Sequence, residues 1–199
     1  MSTTSEIRPS TVRTAETDAE LHPLLDERWS PRSYDAEAVI DDAALHALLE
    51  AARWAPSAAN SQPRRFIAGR RGTATFDKIH AGLASGNQPW TTKAALLVVG
   101  LTAVDPEQGP HRWAEYDLGQ SIAHLTVQAH ALGLHAHQMG GILPEELQKS
   151  FGLEPNVVPV TVTAIGQVDV AEELEERFRE RETAPRSRKP LDELVIVAE

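Results

Sequence analysis

The segment Ala51-Ala-Arg-Trp-Ala-Pro-Ser-Ala-Ala-Asn-Ser-Gln-Pro-Arg-Arg-Phe66 decides how the chain is read: within it a helix stops, a polar loop intervenes and a strand begins. Pro56 cannot continue a helix and biases Ala55 away from helical geometry. Ser57, Asn60, Ser61 and Gln62 then present hydrogen-bonding side chains before Pro63 closes the loop. Upstream, Leu45, Leu48, Leu49 and Ala52 recur at helical spacing, so an amphipathic helix starts near Asp42, with Asp41 or Asp42 as its cap. Downstream, residues 66–68 begin a strand that Gly69 and the basic pair Arg70 and Arg71 stop.

Working outward, residues 76–83 read as a short helix and residues 86–89 as a turn. Residues 94–101 are continuously apolar, the pattern of a strand buried on both faces. Leu118, Ile122, Leu125, Ala129 and Leu132 define a long helix that Gly133 ends. An extended segment at residues 135–138 leads to Met139-Gly140-Gly141-Ile142, and Pro144 opens a helix that runs to Phe151 and stops at Gly152. Residues 157–166 alternate as a central strand, with Val158, Val160, Val162 and Ala164 on one face. Residues 171–182 form a charged helix with Leu174 and Phe178 as apolar contacts, and residues 194–197 read as a last strand after a basic linker.

The expected class is α+β, a small mixed sheet flanked by helices. Residues 1–20, rich in Ser, Thr and charge, read as a flexible tail, and residues 21–199 as a single domain. The terminal strand has the form of an arm exchanged onto a partner's sheet.

Composition narrows the chemistry. The chain has 199 residues, 41% of them hydrophobic, with no cysteine and a formal net charge of −10. Disulfides, thiolate nucleophiles and cysteine-ligated metals are excluded, and the acidic balance argues against general nucleic-acid binding. No apolar run reaches membrane-spanning length and no secretory leader pattern opens the chain, so the expected location is cytoplasmic, without a membrane. His135 and His137 would share a strand face, but no carboxylate stands at ligand spacing and H-E-x-x-H is absent, so no metal site is expected. A G-x-S-x-G elbow and a G-x-G-x-x-G fingerprint are absent too.

What remains is a dispersed anion site. Arg28, Ser30 and Arg32 alternate in a non-helical segment, and Arg186 and Arg188 repeat that alternation near the other end. Alternate residues of an extended chain point the same way, so each segment can aim two guanidinium groups at one anion. Gly140 and Gly141, lacking Cβ, would let backbone N–H groups approach a flat ligand.

These segments, in this order, resemble the FMN-dependent nitroreductase family across nearly all of residues 21–197. Glu27-Arg-Trp-Ser-Pro-Arg-Ser-Tyr-Asp35 resembles the family's opening R-x-S-x-R-x-F/Y motif. Residues 52–63 resemble its A-P-S-x-x-N-x-Q-P loop, Met139-Gly140-Gly141-Ile142 its pre-helix glycine motif, and Arg186-Ser-Arg-Lys-Pro190 its basic C-terminal segment. The chain differs at Arg64, where Trp is frequent, and at Gly140, where many relatives carry Glu.

The resemblance implies an FMN site in which Arg28, Ser30 and Arg32, with Trp29 among them, meet the phosphate, ribityl chain and pyrimidine edge. Arg188 and Arg186 would complete the phosphate clamp. Met139, Gly140 and Gly141 would face the flavin N5 and O4. Pro56, Ser57, Ala58 and Asn60 would reach the flavin of the other subunit of a homodimer. The implied activity is ping-pong oxidoreduction: NADH or NADPH delivers hydride to flavin N5, and a small acceptor such as a nitroaromatic or quinone is then reduced. FMN carries the chemistry, so no catalytic side chain is assigned. The alternatives are a flavin-binding carrier or sensor without robust reductase activity, and a non-flavin hydrolase or binding domain.

Overall fold

The apolar run at residues 94–101 lies in the middle of a four-stranded sheet. The computed structural model describes residues 13–103 and 112–198. Strand β1 (Arg64–Arg70), β2 (Leu96–Ala103), β3 (His135–Met139) and β4 (Val157–Gly166) are ordered β1-β2-β4-β3. All three ladders are antiparallel, so the α+β class holds while the expected mixed sheet is antiparallel within this chain.

Both faces of the sheet are covered, as the unbroken apolar run of β2 demands. Leu96 and Val98 face Leu48 and Ala52 of α2 (Asp42–Arg53) and Leu125 and Ala129 of α5 (Ala114–Ala131). Leu97, Val99 and Leu101 face Phe76 and Ile79 of α3 (Ala74–Ala81) and Leu147 of α6 (Pro144–Phe151). Each such buried side chain contributes about 1.5–3 kcal/mol relative to exposure, which is why β2 anchors both layers. Helix α2 starts where expected: the Asp41 carboxylate accepts from Ala44 N at 2.7 Å. Gly133 and Gly152 take positive φ after α5 and α6, the conformation that ends a helix.

Three local expectations are corrected. The alternation of β4 breaks at Val160, because the ladder shifts register between Gly100 and Leu101, pairing Gly100 with Thr161 but Leu101 with Pro159. One bulged residue exchanges the faces, so Val157 packs in the core while Val158 is exposed. The turn at residues 86–89 continues into a short helix, α4 (Gln88–Thr91), because Pro89 sits in its first turn, and the charged helix divides into a 3₁₀ turn at Ala171–Glu173 and α7 (Glu176–Thr183).

The last segment is seen within a single chain. Leu191–Leu194 is a helix, α8, and residues 195–197 pair with no strand of their own chain among the described residues. Pro190 at its N-cap and acidic residues in its first turn favour helix there, and β-branched residues without a sheet edge cannot form a ladder. Val195, Ile196 and Val197 stay exposed, Ile196 at 97%.

Residues 1–12 of the expected tail lie outside the described residues. Residues 13–20 are described and joined to the body: Ala15 N donates to Asp26 O at 3.0 Å and to its carboxylate at 2.8 Å. A first short helix, α1 (Pro23–Asp26), follows them.

Candidate functional site

Along edge strand β3 the structure assembles most of what the motifs anticipate. The segment at residues 28–34 runs beside this strand, held by three kinds of contact. Tyr34 bridges to Val168, its hydroxyl donates to Ala164 O at 3.1 Å, and His137 Nδ1 lies 2.8 Å from Pro31 O. The fourth hold is Glu182 of α7. Its carboxylate, only 4% exposed as a residue, accepts from Arg32 N at 2.8 and 2.9 Å and from Ser33 N at 3.0 Å. The Arg32 guanidinium stands 3.8 Å away. Burial raises the Glu182 carboxyl pKa, and the backbone donors and Arg32 oppose that rise.

Arg28, Arg186 and Arg188 converge near the start of this track. The Arg28 guanidinium donates to Ser30 Oγ at 3.4 Å. Its pKa is lowered by burial and then by Arg186 and Arg188, so three like charges share one neighbourhood. Among the described residues no carboxylate forms an ion pair with Arg28 or Arg188. Arg186 has a different task, since its guanidinium donates to Arg13 O, to Asp26 O at 2.8 Å and to Arg28 O at 3.0 Å. It stitches the C-terminal segment to the Arg28 backbone, while Arg188 stays exposed.

At the other end of β3, Gly140 and Gly141 are exposed, and a Cβ on Gly140 would meet nothing within 4 Å. Gly140 is therefore open, whereas a Cβ on Gly141 would stand 2.7 Å from the Asn87 amide nitrogen. Met139, in contrast, turns its side chain into the core, so it can offer only backbone. Trp29 is buried between Arg13 and His135, with the Arg13 guanidinium 4.8 Å from its ring and His135 at 6.1 Å. From His135 to Gly140 an extended strand covers roughly 16 Å, giving a track with a cationic end and a bare-backbone end. A cleft of about 190 Å³ opens beside Arg32, between Trp90, Lys93 and Phe178.

The loop at residues 56–60 is not brought to this track. It precedes β1, the opposite edge of the sheet, three strand spacings or about 14 Å from β3. Its backbone is unusual: Ala59, Asn60 and Gln62 all have positive φ, between 49 and 55°. Ser57 Oγ accepts from Gln62 N at 3.1 Å, and the Asp117 carboxylate of α5 accepts from Ala58 N at 3.1 Å. Arg64, 8% exposed, donates to Arg53 O and to Ala55 O at 2.8 Å, with a longer contact to Pro56 O at 3.5 Å.

Sequence reasoning missed Glu182, Asp117, Asn87 and the role of Arg64. Two had a signal. Asp117 falls on the buried stripe of α5 with Ala114, Leu118 and Ser121, and Glu182 lies four residues after buried Phe178 on the same helical face. Asn87, whose amide donates to Gly141 O at 2.9 Å, had none.

His135 and His137 stand under the arginine segment, and among the described residues no group of three or more metal-ligating side chains occurs. Burial, then His130 and Arg28, push His135 down to about 4, and burial, with Arg32 and Arg28 adding to it against hydrogen bonds the ring makes to the backbone of Pro31 and Ser30, pushes His137 down to about 4. Both are neutral at pH 7. The unfolded chain takes up their protons near pH 6.5 and the folded chain does not until about 4, so stability should fall as pH drops through that window. Each histidine contributes up to about 1.4 kcal/mol per pH unit. Glu182, with its raised carboxyl, acts in the opposite sense. Melting curves from pH 7 to 4 should therefore flatten when His135→Gln and His137→Gln are combined; an unchanged slope would assign the acid sensitivity elsewhere.

The frame of the candidate site is an antiparallel α+β sheet with a cation-rich, glycine-ended track along one edge. The sequence pattern of the Nitroreductase family matches residues 25–167, and the chain belongs to that family. Over 154 residues it is 30% identical to a Streptomyces coelicolor protein named as a candidate NADH dehydrogenase/NAD(P)H nitroreductase, covering 66% of this chain and 75% of that one. It is 33% identical over 140 residues to an uncharacterised 15.4 kDa protein of Mycolicibacterium smegmatis, covering 66% of this chain and 94% of that protein. Among solved structures it resembles an oxidoreductase containing FMN, with TM-score 0.86 and 30% identity over 92% of this chain and 94% of the other. Among the described residues no helix is long and apolar enough to cross a membrane.

Proposed function

We propose that this chain binds FMN along β3 and works as an NAD(P)H oxidoreductase on small acceptors such as nitroaromatics or quinones. The observation that carries the reading is the convergence of Arg28 and Arg188, without a carboxylate ion pair among the described residues, at one end of a track whose other end is the open backbone of Gly140, with Gly141 backed by Asn87. A phosphate fits the first and a planar ring the second. The FMN-containing relative and the name of the Streptomyces protein support the cofactor and the co-substrate.

In this reading Arg28 and Arg188 hold the phosphate, and Ser30 offers its hydroxyl to the ribityl chain. Arg32 places a cation at the pyrimidine edge, where negative charge develops on reduction. Its backbone is fixed by Glu182, so that cation is positioned in advance. Bound there, FMN would supply two-electron chemistry, accepting hydride from NADH or NADPH and releasing it to the acceptor. The loop at residues 56–60, too far from its own chain's track, serves the track of a second copy, so the working unit is a homodimer. Exposed apolar side chains at the end of α2 (Trp54), at the start of α5 (Trp113, Tyr116) and on residues 191–197 supply surface for that association.

The test is the purified protein itself. It should be yellow with flavin absorption, sediment as two 21.7 kDa chains, and bleach with NADH or NADPH until menadione or a nitroarene restores the colour. A colourless protein that takes up no added FMN overturns the reading. A yellow protein that NAD(P)H cannot bleach leaves only a flavin carrier.

A further inference from the structure

The N-terminal segment precedes the family match at residue 25, yet it is tied into the cationic end of the track. Arg13 lies at the junction. Its guanidinium donates to the backbone oxygens of Glu182 and Ala184, which end α7, and it covers the Trp29 ring at 4.8 Å. Its own carbonyl accepts from Arg186, the residue that also grips Asp26 O and Arg28 O. Ala15 N bonds Asp26 twice over, through the carbonyl and the carboxylate.

Three separate stretches of chain therefore meet in one knot: residues 13–15, residues 26–33 and residues 182–188. Each carries part of the proposed clamp or its support, and none is a strand of the sheet. Without the knot, nothing in the sheet's hydrogen bonding sets the distance between Arg28 and Arg188. Both arms of the Arg13 fork are engaged by carbonyls, so Arg13 is a brace rather than a ligand. Only a planar, two-armed donor can span two carbonyls and also stack on an indole.

We propose that Arg13 is a positioning residue for the phosphate clamp, and that residues 13–15 are a functional strap of this chain's cofactor site. The proposal rests on the FMN reading given above. A clamp whose two cations are held at fixed spacing loses less freedom on binding an anion, so loosening the knot weakens phosphate recognition specifically.

Arg13→Ala and Arg13→Lys, each in the full chain, test it, with FMN and riboflavin titrated against apo protein by flavin fluorescence. Riboflavin lacks the phosphate and reports the ring half of the site alone. Arg13→Ala should weaken FMN by about tenfold or more, the scale on which losing a supporting partner weakens a preorganised site. Riboflavin affinity should be unchanged. Arg13→Lys should behave like Arg13→Ala, because an ammonium cannot reproduce the fork. Unchanged FMN affinity in Arg13→Ala overturns the proposal. So does an equal loss for both ligands, which would make Arg13 a general fold contact, and so does rescue by lysine, which would reduce its role to charge. Failure of the unaltered protein to bind FMN sinks the functional reading itself, an outcome distinct from the other three.

Discussion

Combining Arg28→Ala with Arg188→Ala is expected to yield a colourless protein. In the proposed clamp these two guanidinium groups carry the charge opposite the phosphate, whereas Arg186 is committed to backbone carbonyls. A hydrogen bond to a charged group contributes about 1.5–3 kcal/mol. Losing two should lower FMN affinity by a factor on the order of 10²–10⁴. Stability of the apo protein should not fall, because burial and the two neighbouring arginines already disfavour charge on Arg28. That combination separates this pair from ordinary structural residues: large loss of ligand, no loss of fold. Flavin content after dialysis, fluorescence titration and a thermal melt measure both arms. Full FMN occupancy in the double variant would refute the clamp.

Arg64→Ala should show the reverse pattern, a large loss of stability wherever FMN binds. The side chain closes the C-terminal end of α2 by bonding Arg53 O and Ala55 O, and it is the cation facing Asp117. Asp117 is 1% exposed, and its carboxylate holds Ala58 N. Removing the guanidinium leaves the Arg53 and Ala55 carbonyls without this donor, at about 1–3 kcal/mol for each group left unsatisfied. For a chain of this size each kcal/mol lost lowers Tm by about 2–4 °C.

The loop should suffer first. Ala59, Asn60 and Gln62 sit in the left-handed region, which non-glycine residues occupy at a cost and only where their surroundings insist. Without the Arg64 and Asp117 clamp they should relax, and hydrogen exchange over residues 57–62 should accelerate before the rest of the sheet. Arg64→Lys should recover only part of the loss, because one ammonium cannot bridge two carbonyls in fixed geometry. A Tm within 1–2 °C of the unaltered protein's, the size of an ordinary surface change, would remove Arg64 from this role.

Arg64 also shows where reading the chain alone reaches its limit. In sequence it is a departure from a frequent tryptophan, beside a loop rich in small polar residues. In the fold it is the reason that loop keeps its shape. Asp117, 53 residues away, comes close enough to act on its charge only because α5 packs over β1 and α2. The same holds for Glu182, which touches Arg32 across a gap of 150 residues.

The amino-acid order by itself determined the elements whose causes are local. The α6 bounds follow from Pro144 and Gly152, the α2 start from Asp41, and the place of β2 from an unbroken apolar run. It also marked the segments proposed to bear the ligand, since alternation of Arg28, Ser30 and Arg32 and the missing Cβ atoms at Gly140 and Gly141 are properties of short stretches. Tertiary structure alone decided the bulge at Val160, because a register shift depends on the partner strand, and that residues 195–197 join no ladder within their own chain, because a ladder needs an available edge. It decided too that residues 56–60 lie across the sheet from the track, and that Arg13, Glu182 and Asp117 hold the site's parts in place. Those outcomes depend on contacts between distant residues, whose closure is set by packing of the whole chain and leaves no period or spacing in the sequence.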